Sequence, residues 1–252
     1  MGMTEGSNAA DRVVVVAGAS GPAGRAAVRR LAADGSRVVA AARTPGTWDE
    51  DRVSPAAVDL LDADATRAWA DGVAAEHGRV DGLIHLVGGW RGGGSFADTD
   101  LADWAFLHGA LIRTLQHTTL AFHDHLRKAP AGRVAIVSQH AAQRPTQNVA
   151  AYAAAKAASE AWTLALADSF AHATSGNAGE GGAGGGSASG ASGPAASILV
   201  VKALLTDAMR EEKPDGAFPG FTHVDDLATV IAGLWDRPAS ELNGTRLDLS
   251  HP

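Results

Sequence analysis

From Arg12 onward, apolar residues fall in short unbroken blocks, separated by longer stretches in which they recur every three or four positions. The blocks are RVVVVAGA (12–19), RVVAAAR (37–43), VDGLIHLVGG (80–89), GRVAIVS (132–138) and SILVVKAL (197–204). A strand with one wet face alternates; an unbroken apolar run suits a strand covered on both faces. The stretches between them, at 22–35, 64–78, 100–128 and 150–173, have the length and periodicity of helices. Strand followed by helix, repeated, predicts a doubly wound α/β fold: a parallel sheet with helices on both faces. A last helix over HVDDLATVIAGLW and a last strand in GTRLDLS extend the pattern to the end.

One stretch breaks the rhythm. Residues 174–197 are almost all glycine, alanine and serine, and cannot bury enough apolar surface to offset the entropy of ordering them. Only about 55 residues follow, and they carry the pattern of one more strand, helix and strand. The segment therefore reads as a flexible surface loop within a single domain, 1–252, rather than a linker between two. A 46% hydrophobic composition supplies one large core.

Composition narrows the function classes. With no cysteine there is no disulfide, thiolate metal site or cysteine nucleophile. A net charge of −7 argues against nucleic acid, which needs a basic stripe. No window is apolar enough to cross a membrane, and MGMTEGSNAADR has neither a basic start nor an apolar stretch, so a cytoplasmic setting is expected. His117, His123 and His125 share a helix, but positions i and i+2 diverge by about 200°, so no metal is expected there. Asp225 and Asp226 read as helix-start acids.

The first block runs into a glycine loop and then a helix, with Gly18, Gly21 and Gly24 at intervals of three. Such a loop makes a sharp turn, lets a pyrophosphate approach the backbone and aims the helix's unpaired N–H groups at it. Plain turning is the competing reading. The second block ends on Ala42 and Arg43, with no carboxylate to hold ribose hydroxyls. An arginine suits a 2′-phosphate, so NADP(H) is preferred and NAD(H) stays possible.

Tyr152, the chain's one tyrosine, precedes Lys156 by four residues, which makes them neighbours on one helix face. A phenol titrates at about 10 and transfers protons poorly at neutral pH unless a cation stabilises its anion. A solvated helix face remains the alternative.

GASGPAG near the start, VDL at 58–60, LVGG at 86–89 and YAAAK after RVAIVS together resemble, in order and spacing, the short-chain dehydrogenase/reductases across nearly the whole chain. The resemblance implies that Tyr152 protonates a carbonyl as hydride arrives, with Lys156 holding the nicotinamide ribose and lowering the tyrosine pKa. It implies cofactor contacts at Gly18, Ser20, Gly21, Gly24, Arg43, Asp59, Leu60, Gly88, Gly89 and Thr206. It implies a homodimer or homotetramer joined through the helices at 101–128 and 150–172.

The chain also departs from that pattern. The family's carbonyl-polarising serine would fall on Gln139; Ser138 lies one residue earlier and serves only if the strand has already ended there. Leu111 replaces the asparagine of the relay water. LVGGW at 86–90 resembles the dihydropteridine reductases, and Trp90, Arg91 and Phe96 are candidates for the substrate cleft. The expected function is hydride transfer between NAD(P)(H) and a small carbonyl or imine-like substrate. The alternative is a redox sensor or scaffold that binds NADP(H) with little turnover.

Overall fold

The computed structural model describes residues 12–176 and 193–250. The chain runs β1 (Val13–Ala17), α1 (Pro22–Ala33), β2 (Arg37–Ala42), β3 (Val53–Ala57), α2 (Ala63–His77) and β4 (Gly82–His85). After β4 come α3 (Leu101–Leu107), a π-helical stretch His108–Arg113, α4 (Thr114–Lys128), β5 (Arg133–Gln139) and α5 (Ala150–Gly176). The last part holds β6 (Ala195–Val201), β7 (Leu204–Leu205), α6 (Asp207–Glu212), β8 (Thr222–His223), α7 (Val224–Ala232), α8 (Ala239–Leu242) and β9 (Arg246–Asp248).

Seven strands form one sheet in the order β3-β2-β1-β4-β5-β6-β9, every pair parallel. The chain builds outward from β1 to β3, then returns to place β4 on the other side of β1. That reversal opens a crevice beyond the carboxyl ends of β1 and β4, where open α/β sheets bind ligands. The two faces explain the unbroken apolar blocks. Val14 and Val16 pack with Ala27, Val28 and Leu31 of α1 and Leu227 and Ile231 of α7. Val13 and Val15, pointing the other way, pack with Val73 of α2, Phe122 and Leu126 of α4 and Phe170 of α5.

The structure amends the sequence reading in four places. β3 is an additional strand, legible as neither block nor alternation; it lies at the sheet edge, where Pro55 costs no interior ladder bond. The helix expected over 100–128 is interrupted by the π-helical turn. The block 197–204 divides, since β6 begins at Ala195 and ends at Val201, while Leu204 and Leu205 pair with Thr222 and His223. Of the glycine-rich segment 174–197, α5 takes the start and β6 the end, and residues 177–192 lie outside the described residues.

Candidate active site

The glycine loop interlocks with the end of β4. Gly18 has φ +85°, and a Cβ on it would lie 2.7 Å from the Leu86 carbonyl carbon. A Cβ on Gly24 would lie 2.2 Å from the Gly18 carbonyl oxygen. Gly21 is the N-cap of α1 with no side-chain capping bond, and Pro22 starts the helix. The first-turn N–H groups therefore face the crevice uncapped, as an anion site requires. Ser20 Oγ donates to the Thr44 carbonyl at 3.1 Å, which pulls the end of β2 to the loop and leaves the adjacent Arg43 exposed beside it.

Of the other residues expected to touch the cofactor, Asp59 is exposed, and its Oδ1 accepts from Leu61 N at 3.0 Å. Leu60 is buried and its carbonyl pairs with His117 Nδ1 at 2.8 Å. Gly88 and Gly89 follow β4 on the floor of the cleft; a side chain on Gly89 would enter the Phe106 ring. Thr206 caps α6 by accepting from Met209 N and lines the same cleft.

Tyr152 and Lys156 rise from α5 into this cleft, as their spacing predicts. The Tyr152 hydroxyl has no hydrogen-bond partner among the described residues, whereas Lys156 Nζ donates to the Val137 carbonyl at 2.7 Å. The ammonium sits 5.7 Å from the Tyr152 ring centroid. The expected depression of the tyrosine is not present in this arrangement: burial pushes the phenol up to about 12. Burial also brings Lys156 down to about 8, against the opposing pull of the Glu160 carboxylate one turn further along.

β5 continues through Gln139, with Ser138 opposite Val200 and Gln139 opposite Val201, so the chain has not turned at Ser138. Ser138 is fully buried and donates to Glu160 Oε1 at 2.5 Å. Glu160 also takes both prongs of Arg246, at 2.9 and 3.1 Å. Gln139 is engaged at both ends, donating to the Lys202 carbonyl and accepting from Ala141 N. Leu111 is buried in the π-helical stretch, and its carbonyl accepts from Ser159 Oγ at 3.1 Å.

Two participants escaped the sequence reading. His85, buried at the end of β4, pairs its Nε2 with Thr114 Oγ1 at 3.1 Å; burial and then the Lys156 charge bring it down to about 3, so it is neutral. Glu160 lies four residues beyond Lys156, a spacing visible in the sequence, but its pairing with β9 needs the fold. The three helical histidines take separate partners: His117 the Leu60 carbonyl, His123 Ser169 and Asp124, His125 Asp71.

The cleft measures about 570 Å³ and is walled by Trp90, Leu204, Met209 and Val224 as well as the polar groups named above. A nucleotide fits its features: a backbone too crowded at Gly18 and Gly24 for any side chain, a helix start without a side-chain cap, and a lysine at the far end. Fold and site thus define a dinucleotide-dependent oxidoreductase.

Comparison with known proteins agrees. The short chain dehydrogenase family model matches residues 12–174, and the chain belongs to that family as an NAD(P)-dependent oxidoreductase. It is 31% identical over 180 residues, 66% of its own length and 70% of the relative's, to the granaticin polyketide synthase putative ketoacyl reductase 2 of Streptomyces violaceoruber. Among solved structures, a short chain dehydrogenase from Burkholderia cenocepacia J2315 in complex with NADP superposes with a TM-score of 0.71 at 24% identity, covering 97% of this chain and 98% of that one. A short chain oxidoreductase from Pseudomonas aeruginosa PAO1, described as containing an atypical catalytic center, gives 0.77 at 20% identity, with 96% and 97% covered.

Proposed function

We propose that the chain reduces a small carbonyl compound with NADPH, with Tyr152 as the proton donor. The observation that carries this reading is a phenol open to the cleft with the Lys156 ammonium 5.7 Å from its ring centroid. Burial raises the Tyr152 pKa to about 12, so the proton leaves only as Lys156 offsets the charge of the phenolate that donation creates. Bound in the cleft, the reduced nicotinamide supplies hydride to the carbonyl carbon. Tyr152 gives its proton to the carbonyl oxygen, and the phenolate left behind is stabilised by Lys156, charged below about pH 8. Ser138 spends its one O–H on Glu160 and Gln139 gives one of its two amide N–H groups to the Lys202 carbonyl, so Tyr152 acts as the principal donor.

NADP(H) rather than NAD(H) is supported by exposed Arg43 beside the glycine loop and by the lack of a carboxylate at the end of β2. Carbonyl reduction agrees with the putative ketoacyl reductase to which the chain is similar. A homodimer or homotetramer is supported by Leu120 of α4 and Leu164 of α5, large apolar side chains left exposed. No helix among the described residues is long and apolar enough to cross a membrane, and a cytoplasmic setting is the reading we adopt. A second reading, an NADP(H)-binding sensor with little turnover, draws on the engagement of Ser138 by Glu160 and the leucine at 111.

The test follows NADPH absorbance with a panel of ketones, quinones and quinonoid dihydropterin. Tyr152→Phe is expected to lower kcat by at least about a hundredfold while leaving NADPH affinity within a few-fold. Turnover surviving in that variant would remove Tyr152 from its role. Tight NADPH binding with no oxidation by any compound would establish the sensor.

A further inference from the structure

Trp90 stands just beyond the floor of the cleft with 57% of its surface exposed, an unusual position for the largest apolar side chain in a folded domain. Its surroundings hold it in place without covering it. Arg91 Nη1 donates back to the Trp90 carbonyl at 2.9 Å. The same guanidinium lies 4.1 Å over the Phe106 ring and 3.6 Å from Asp103. Gly92 and Gly93 carry φ of +156° and +119°, and the indole edge comes within 3.4 Å of where a Gly92 Cβ would stand. Gly93 N donates to the Asn148 carbonyl at 2.8 Å, which ties this loop to the entrance of α5 and hence to Tyr152. The indole therefore keeps more than half of its surface open, on a loop whose backbone is tied down on either side of it.

The side chains along the cleft restrict what can lie on it. Among the described residues no carboxylate lines it. Lys156 and Lys202 each give one hydrogen bond to a backbone carbonyl, of Val137 and of Pro219 at 2.7 Å. Arg91, next to the indole, is held by Phe106 and Asp103. The wall nearest the indole is apolar, with Leu204 and Met209 of the segment that follows β6. A flat π-system would find there an exposed aromatic face and a polarisable thioether.

We propose that Trp90 selects the substrate, and that the preferred substrates are carbonyl compounds in which the carbonyl is conjugated with an aromatic or unsaturated ring that stacks on the indole. This rests on the carbonyl-reductase reading above and adds the substrate class to it.

The experiment has two arms. The first titrates an uncharged aryl ketone into the protein by calorimetry, with and without NADPH, and needs no turnover. Trp90→Ala is expected to weaken binding by roughly tenfold, and Trp90→Phe to restore most of it. The second compares kcat/KM for an aryl ketone and an aliphatic ketone of equal carbon number. Wild-type protein is expected to prefer the aryl ketone by at least about tenfold, and Trp90→Ala to collapse that ratio through KM. Aryl-ketone binding unaffected by Trp90→Ala, a ratio that persists in it, or a wild-type preference for the aliphatic ketone would each overturn the proposal. Binding that depends on Trp90 with no reduction of any ketone would instead overturn the reductase reading and leave the stacking site standing.

Discussion

Replacing Lys156 by methionine should make the protein more stable and inactive at once. The side chain is 8% exposed, and burial lowers its pKa from 10.5 to about 8. A depression of some 2.5 units means that keeping the ammonium charged inside the native state costs about 3 kcal/mol at pH 7. Methionine has a similar length and no charge to desolvate. Against that gain stands the hydrogen bond to the Val137 carbonyl, about 1 kcal/mol to a neutral acceptor and more if that oxygen stays dry and unpaired. The net gain is about 1–2 kcal/mol, roughly 2–8 °C in Tm for a domain of this size. The sign with pH is fixed by the direction of the shift. Between about 8 and 10.5 the unfolded lysine binds a proton that the native one has released, so wild-type stability rises with pH relative to the variant. The stability gap should narrow by about 2 kcal/mol between pH 7 and 9.5. Differential scanning calorimetry across that range checks it. A gap that is constant with pH, or a variant less stable at pH 7, would refute burial as the source of the lysine's shift. Activity carries a matching mark: turnover should fall as pH rises through about 8, where the ammonium beside Tyr152 loses its proton.

Two further outcomes test the surrounding residues. Ser138→Ala removes a hydrogen bond to the buried Glu160 carboxylate, which keeps both bonds to Arg246, so it should lower stability by about 1–2 kcal/mol by denaturant unfolding and change kcat/KM by less than about threefold. A hundredfold loss of kcat would return the serine to the reaction. Arg43→Asp should cost NADPH affinity at least about tenfold relative to NADH by fluorescence titration, since a carboxylate repels the 2′-phosphate and suits the free ribose hydroxyls; unchanged preference would place the phosphate elsewhere.

Much of this was legible before the fold was known, because its signals are local. Val13–Ala17 reads as a buried strand since both its faces are apolar, and both faces meet helices. Gly18, Gly21 and Gly24 mark a turn that at Gly18 and Gly24 only glycine can make, and four-residue spacing alone puts Tyr152 beside Lys156. β3 was invisible because an edge strand needs neither an apolar block nor freedom from proline: three of its five residues are exposed, and Pro55 sits among them. Ser138 could not be resolved from the sequence because its role turns on where β5 ends, a matter of one residue that reverses the face. His85 and Glu160 were missed for a different reason. His85 meets the Lys156 charge across 71 residues of chain, which conceals the pair, whereas Glu160 stands four residues from Lys156 on the same helix and was visible, but without its partner Arg246.

The contact of Gly18 with the backbone at Leu86 joins the two halves of the cleft floor without any side chain between them. A joint made of main chain is insensitive to most substitutions around it. The grip on the dinucleotide is thereby uncoupled from the walls at 90–96 and 204–221, whose side chains decide what lies opposite it. Those walls can drift in sequence, and the range of substrates can change with them, while the cost of ordering the nucleotide cradle is met once in folding and is the same for every substrate.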